Sequence, residues 1–268
     1  MQLSFTKMNG AGNDFVMIDN RDQALALDPP RVALLCDRHR GIGADGVLAV
    51  EPAQQGADFR MRYYNADGGE AEMCGNGARC FARFAQRLGW NNREMSFETL
   101  AGVIRASFPG DLVRITMSDP HSHRPPFDLE TNGRILNVHF LNTGVPHAVV
   151  FTDDIAAVDV ARDGAALRYH PAFAPRGTNA NFVQVLAPES IAIRTYERGV
   201  EAETLACGTG VCAAALLYSL RAGSSSPVRV KVRGGDTLEV GFEASGSGFR
   251  NVALTGPADF VFDGTISL

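Results

Sequence analysis

Five cysteines in 268 residues are too few, and the wrong parity, for a disulfide framework. No Asn-x-Ser/Thr sequon occurs, and Cys-x-x-Cys, the usual redox spacing, is absent. Long apolar runs are missing too: the most apolar stretch, Val211 to Leu220, is about half of a membrane span. The first residues, Met1-Gln-Leu-Ser-Phe-Thr-Lys-Met-Asn9, lack the basic and apolar regions of a signal peptide. Positive charge is scarce, with 25 Lys and Arg against 30 Asp and Glu and a net charge of −5. The longest basic cluster is Arg38-His39-Arg40, so the electrostatic footprint of a nucleic-acid binder is lacking. The mild acidity reads as solubility. These absences leave a cytoplasmic globular protein with reduced thiols, whose partners are neither nucleic acid nor membrane.

What is present is a sequence written twice. Arg40-Gly-Ile-Gly-Ala-Asp-Gly-Val47 returns as Arg176-Gly-Thr-Asn-Ala-Asn-Phe-Val183. Glu70-Ala-Glu-Met-Cys-Gly-Asn-Gly77 returns, with two residues inserted, as Glu201-Ala-Glu-Thr-Leu-Ala-Cys-Gly-Thr-Gly210. Ser118-Asp-Pro120 and Thr255-Gly-Pro257 each close a strand-like run. The order is preserved and the offsets cluster near half the chain, which implies duplication of one α/β unit. The division expected is 1–117 plus 257–268 for one half and 118–256 for the other. The break falls near Asp119–Pro126, where prolines and histidines interrupt the pattern.

Hydrophobic periodicity predicts strands near 2–8, 15–19, 47–50, 59–64, 95–98, 103–108 and 112–117 in the first half. In the second they fall near 135–141, 148–151, 182–186, 191–196, 228–232, 237–242 and 252–254. One helix is predicted per half, Gly75 to Leu88 with Ala78, Phe81, Ala82 and Ala85 on one stripe, and Gly208 to Arg221 ended by Gly223.

Each helix opens with a cysteine and a glycine-rich turn: Cys74-Gly75-Asn76-Gly77 and Cys207-Gly208-Thr209-Gly210. A helix start presents unused backbone N–H groups and partial positive charge, which favours thiolate and binds carboxylate. Glycine lets a ligand approach the backbone. Two such turns facing one ligand would place a thiol on each side of an α-carbon, an arrangement suited to stereochemical inversion. One thiolate removes the α-proton while the opposite thiol delivers another. An α-proton is a very weak acid, so the carbanion-like transition state needs strong electrostatic stabilisation.

A lone cysteine is more often a small core residue than a catalyst, and Cys36, Cys80 and Cys212 read as packing. The duplicated context sets Cys74 and Cys207 apart. A zinc site is the competing reading, but the Cys-x5-Cys and Cys-x4-Cys pairs lie along helices rather than on knuckle turns. Gly41-Ile-Gly43-Ala-Asp-Gly46 fits G-x-G-x-x-G but follows a helical run and precedes a strand, the reverse of a dinucleotide site.

At this point the chain resembles the diaminopimelate epimerase family along nearly its whole length. The resemblance rests on Lys7–Phe15, Arg38–Gly46, Tyr64–Gly68, Met73–Arg79, Gly144–His147, Tyr196–Gly199, Ala206–Gly210 and Leu254–Pro257. It implies an α+β (mixed α/β) fold of two pseudo-symmetric duplicated domains. Each is a β-rich barrel-like sheet around a central helix, with the active site in the cleft between them. It also implies a reaction free of pyridoxal phosphate, needing no cofactor or metal, that interconverts LL- and meso-diaminopimelate in lysine and cell-wall precursor synthesis. By resemblance Cys74 and Cys207 are the acid and base, with His147 and Glu197 aiding proton transfer. Arg198 meets a substrate carboxylate, as planar bidentate recognition favours. Asn13, Asn65 and Asn179 hold the polar ends, and Glu197 also belongs to the substrate-binding set. Gly75 with Asn76, and Gly208 with Thr209, cradle the carboxylates. A homodimer is implied as well.

Without the family, Asn13 and Asn65 read as turn residues, His147 is evenly balanced between a structural and a proton-transfer histidine, and Glu197-Arg198 reads as an ion pair or strand end. The chain departs from some members at Gly46 (glutamine elsewhere), Val145 (asparagine elsewhere) and Phe262 (tyrosine at a dimer contact elsewhere). The rivals are a proline or hydroxyproline type racemase of the same architecture and a non-catalytic amino-acid-binding protein. A relative isomerising without thiols is disfavoured by the presence of both cysteines, and Arg198, Asn65, Asn13 and Asn179 favour a long substrate with two amino-acid ends.

Overall fold

The computed structural model describes residues 2–246 and 248–268, which divide into two compact units. The first comprises the chain up to Ile115 together with Gly256–Leu268, and the second comprises Thr116–Thr255. The elements leading to the first boundary are β1 (Gln2–Gly10), β2 (Asn13–Asp19), α1 (Pro29–Cys36), β3 (Gly46–Glu51), β4 (Phe59–Asn65), α2 (Gly75–Arg87), β5 (Glu94–Thr99), β6 (Gly102–Ser107) and β7 (Val113–Thr116). There follow β8 (His121–Thr131), β9 (Arg134–Asn142), β10 (Pro146–Phe151), α3 (Val160–Arg168), β11 (Asn179–Ala187), β12 (Ser190–Glu197), β13 (Ala202–Thr204), α4 (Gly208–Ala222), β14 (Val228–Lys231), β15 (Thr237–Ser245) and β16 (Gly248–Gly256). The last strand, β17 (Asp259–Ser267), returns to the first unit.

The duplication in the sequence is a duplication of strand pairing. In the first unit, β17 lies antiparallel to β1, β1 to β2 and β3 to β4, whereas β2–β3 and β4–β5 are parallel; β5–β6–β7 is an antiparallel meander. In the second unit the same series runs β8–β9–β10–β11–β12–β14–β15–β16, with β10–β11 and β12–β14 as the parallel pairs. A parallel neighbour requires a crossover, and each crossover carries a helix: α1 and α2 in one unit, α3 and α4 in the other. The bridge Tyr64↔Glu70 before α2 has its counterpart in β13 pairing back on β12 before α4.

The second helix of each unit is the central one. The most apolar stretch of the sequence, Val211 to Leu220, lies in α4, which is buried from Gly210 through Tyr218. It touches β9, β10, β11, β12, β14 and β15, so the sheet curls around it and leaves no polar face. Helix α2 packs likewise on β1, β2, β3 and β4. Strand β3 is buried at every position, as a strand covered on both faces must be. The outer faces carry separate cores, with Val32 and Leu35 of α1 on Val16, Ile18, Val47 and Ala49, and Val160 and Leu167 of α3 on Val138, Phe140, Val150 and Phe173. Each valine, leucine, isoleucine or phenylalanine among them contributes roughly 1.5–3 kcal/mol by burial. Among the described residues no helix is long and apolar enough to cross a membrane.

The structure corrects the sequence reading in three places. The segment Asp119–Pro126, expected to interrupt the pattern, mostly belongs to strand β8. Its prolines, which cannot donate to a ladder, fall where the β8–β9 register shifts between Arg124 and Phe127. Helix α3 and strand β17 are the other two, elements that hydrophobic periodicity does not predict. Only two of the nine residues of α3, Val160 and Leu167, are buried apolar ones, and β17 exposes Phe260, Val261 and Phe262 rather than alternating.

Candidate active site

Cys74 and Cys207 occupy equivalent positions, each the N-cap of its unit's central helix. Both have extended backbone, φ −135° and ψ 121° for Cys74, φ −120° and ψ 107° for Cys207. The helical ladder begins with Ala78 N–H donating to the Cys74 carbonyl (2.7 Å) and Val211 N–H to that of Cys207 (2.9 Å). The turns Gly75-Asn76-Gly77 and Gly208-Thr209-Gly210 stand ahead of those bonds, at the positive end of the helix dipole. Cys74 is partly exposed and Cys207 is buried, and no disulfide joins cysteines among the described residues. Cys36 and Cys80 lie in the interior, where burial pushes their thiols up to about 11 and about 12, well away from reactive thiolate.

In the first unit the structure brings Asn13 and Asn76 together. Asn76 Nδ2 donates to Asn13 Oδ1 (2.8 Å), and Asn13 Nδ2 donates to Asp45 Oδ2 (2.8 Å). The other Asp45 oxygen accepts from Arg38 Nη2 (2.9 Å). Arg38 also grips Asp14, which Lys7 pairs at 2.7 Å. Burial alone would raise the Asp14 carboxyl, but Arg38 and Lys7 outweigh it and hold it below the usual range. Behind Asn76 lies Arg79, fully buried, donating to Asn76 Oδ1 (3.0 Å), the Gly75 carbonyl (3.3 Å) and the Pro257 carbonyl (3.2 Å). Arg79 thus braces the turn after Cys74. Asn65 ends β4 exposed, its Oδ1 accepting from Tyr63 Oη (2.8 Å), apart from this network.

In the second unit, the Cys207 thiol hydrogen-bonds the Glu197 carboxylate, which also accepts from Thr204 Oγ1 at 2.9 Å. Burial nonetheless raises the Glu197 carboxyl above its usual range. His147, wholly buried on β10, places Nε2 3.0 Å from Thr209 Oγ1, and Thr209 Oγ1 lies 3.6 Å from Cys207 Sγ. Burial pushes the His147 ring down to about 3, so it is neutral near pH 7. Asn179, paired beside His147 in the β10–β11 register, donates to the Pro146 carbonyl (3.0 Å) and accepts from the Arg198 N–H (2.8 Å). Arg198 borders a cavity of about 550 Å³ within this unit, shared with Arg124, Arg176, Asn142 and Gly144. Its lining includes three arginines and, among the described residues, no aspartate or glutamate, which favours an anionic group.

Sequence reasoning missed Asp45, Arg79, Thr204 and Asn181. Two had readable signals. Arg79 follows Asn76 by three on a helix, and Asn181 follows Asn179 by two on a strand, so each shares its predecessor's face.

The duplicated barrel-like unit, wrapped around a central helix, defines a fold class that solved structures share. A phenazine biosynthesis protein from Bacillus anthracis aligns over 100% of both chains at TM-score 0.76 and 14% identity. A probable proline racemase from Agrobacterium radiobacter aligns over 99% of this chain and 93% of its own at TM-score 0.73 and 18% identity. The sequence then narrows the class. Residues 5–121 and 139–261 match the diaminopimelate epimerase family, and a diaminopimelate epimerase from Aromatoleum aromaticum is 45% identical over 100% of both chains. The chain belongs to the diaminopimelate epimerase family.

Proposed function

We propose that the chain interconverts LL- and meso-diaminopimelate by a two-base mechanism in which Cys74 and Cys207 act as acid and base, without pyridoxal phosphate. The observation that carries this reading is the equivalence of the two cysteines: each is the N-cap residue of the enclosed helix in a unit with the same strand order. Inversion needs two groups of one chemistry acting on opposite faces of a carbon, and a duplicated unit is a direct way to supply them.

In this reading Glu197 accepts the proton of the Cys207 thiol it already hydrogen-bonds, leaving a thiolate and a neutral carboxyl. The thiolate then removes the α-proton while the Cys74 thiol protonates the other face, and the roles exchange in the reverse direction. The turns Gly75-Asn76 and Gly208-Thr209 direct N–H groups to the substrate carboxylate beside the reacting carbon, where negative charge develops. Arg198, with Asn13, Asn65 and Asn179, receives the polar ends. The arginine-lined cavity beside Arg198 supports a substrate with an anionic end. His147 serves as a neutral hydrogen-bonding group near Cys207 in the unit described. We place the enzyme in lysine and peptidoglycan precursor synthesis, as a cytoplasmic homodimer.

The test is NMR of reduced protein with LL-diaminopimelate in D2O, with Cys74→Ala and Cys207→Ala alongside. The expected outcome is α-proton exchange with appearance of the meso isomer, lost in both variants and needing no added cofactor. Absence of exchange with this substrate, but exchange with proline or hydroxyproline, would replace it by the other racemase reading. Tight binding without any exchange would leave a binding protein.

A further inference from the structure

Asn181 is buried on β11, and its side chain has four contacts that fix its orientation. Nδ2 lies 3.0 Å from the Ala148 carbonyl, which can only accept, so the amide nitrogen must stand on that side. A longer contact of 3.5 Å reaches the Asn179 carbonyl. On the opposite side Oδ1 accepts from Thr195 Oγ1 at 3.0 Å. The same Nδ2 lies 3.2 Å from His147 Nδ1. An amide nitrogen offers hydrogens only, so Nδ1 of the ring must present its lone pair. A neutral imidazole then carries its hydrogen on Nε2 and donates it to Thr209 Oγ1, 3.0 Å away. A hydroxyl that accepts from the ring has its own hydrogen to offer elsewhere, and Cys207 Sγ lies 3.6 Å from it.

We propose that Asn181 is a positioning residue which locks His147 as the Nε2–H tautomer and thereby turns the Thr209 hydroxyl hydrogen onto the Cys207 sulfur. The proposal rests on the reading of Cys207 as a reacting thiol. The relay matters when the sulfur is charged: Cys207 passes its proton to Glu197, and the resulting thiolate accepts the Thr209 O–H. With the opposite tautomer, Nε2 would itself accept that hydrogen and the thiolate would lose a donor. Burial keeps the ring from taking a second proton, which would remove the distinction between the tautomers. Packing holds the parts in place, since a Cβ on Gly210 would lie 2.6 Å from Asn181 Oδ1, 3.3 Å from His147 Cε1 and 3.4 Å from Cys207 Sγ.

Long-range proton–nitrogen NMR on histidine-labelled protein reads the tautomer independently of activity. The wild-type ring should show Nε2 protonated and Nδ1 bare. Asn181→Asp, of the same shape but offering an acceptor, should move the hydrogen to Nδ1. It should lower kcat roughly 10- to 100-fold, the worth of one hydrogen bond to a charged group, with KM within about twofold. Thr209→Val should lose a similar factor, and the double variant should lose little more than either single one. Asn181→Leu, which fills the same space, gives a second series if Asp is poorly tolerated, and should leave both tautomers populated. A wild-type Nδ1–H tautomer, a switch with no change in kcat, or losses that multiply would overturn the proposal. An Nε2–H ring in a protein that catalyses no exchange would instead remove the reading of Cys207 and leave the lock itself standing.

Discussion

The Cys207 thiol and the Glu197 carboxylate are hydrogen-bonded to each other, and burial has raised the proton affinity of the carboxyl partner. A carboxyl whose proton affinity is raised is a better proton acceptor than a free glutamate in water, which favours transfer to it.

Glu197→Gln keeps the shape and the Thr204 contact but removes the proton acceptor, and exchange should fall by about 100-fold or more. The stability effect runs the other way. Because the folded carboxyl binds its proton more tightly than the unfolded chain does, wild-type stability falls as pH rises through the interval above the ordinary glutamate value. The variant lacks that loss, so its stability relative to wild type should be greater at pH 7 than at pH 4. Urea denaturation at the two pH values checks the sign, and an unchanged exchange rate would remove Glu197 from the mechanism.

His147 predicts the opposite slope. Its ring is pushed down from 6.5 to about 3 by burial, so between those values the unfolded chain takes up a proton that the folded protein refuses. Its contribution is complete above pH 6.5 and drains away as pH falls, by up to ~1.4 kcal/mol per pH unit. His147→Gln should be less stable at pH 7 yet flatter between pH 6 and 4. Parallel slopes for the two proteins would mean that the folded ring titrates normally.

Gly210→Ala tests how tightly the second site is packed. The added methyl meets Asn181 Oδ1 at 2.6 Å, and overpacking of this kind costs about 1–3 kcal/mol. Melting temperature and exchange rate should both drop. A fully active, fully stable variant would show that His147, Asn181 and Cys207 have room to move.

In the first unit, Arg79→Met should cost about 2–3 kcal/mol, because the Asn76, Gly75 and Pro257 oxygens lose their buried donor. The Pro257 contact ties the returning C-terminal segment to α2, so cleavage by a protease near Pro257 should quicken in step. Unaltered stability with unaltered cleavage would assign the bracing to other groups.

Much of the architecture is legible in the linear text because a duplication preserves order. The central helices show through their glycine-rich starts and apolar content, and most strands through alternation. Strand β8 is hidden by Pro125 and Pro126, which read as a break and are tolerated at a register shift. Helix α3 is hidden because two buried apolar residues make too weak a stripe, and β17 because its partner β1 lies at the other end of the chain.

The sequence by itself determined the repeat, the class of each main element, the family, and the candidate thiols with their turns. Those are local patterns, or patterns repeated at a fixed offset. Tertiary structure alone decided which side chains share hydrogen bonds. Asn13 reaches Asp45 and Asn76, Arg79 reaches Pro257, and His147 is held between Asn181 and Thr209. The physical reason is that parallel pairing and helix crossovers join residues far apart in the chain. A hydrogen bond depends on distance and direction in space, neither of which is written in residue order.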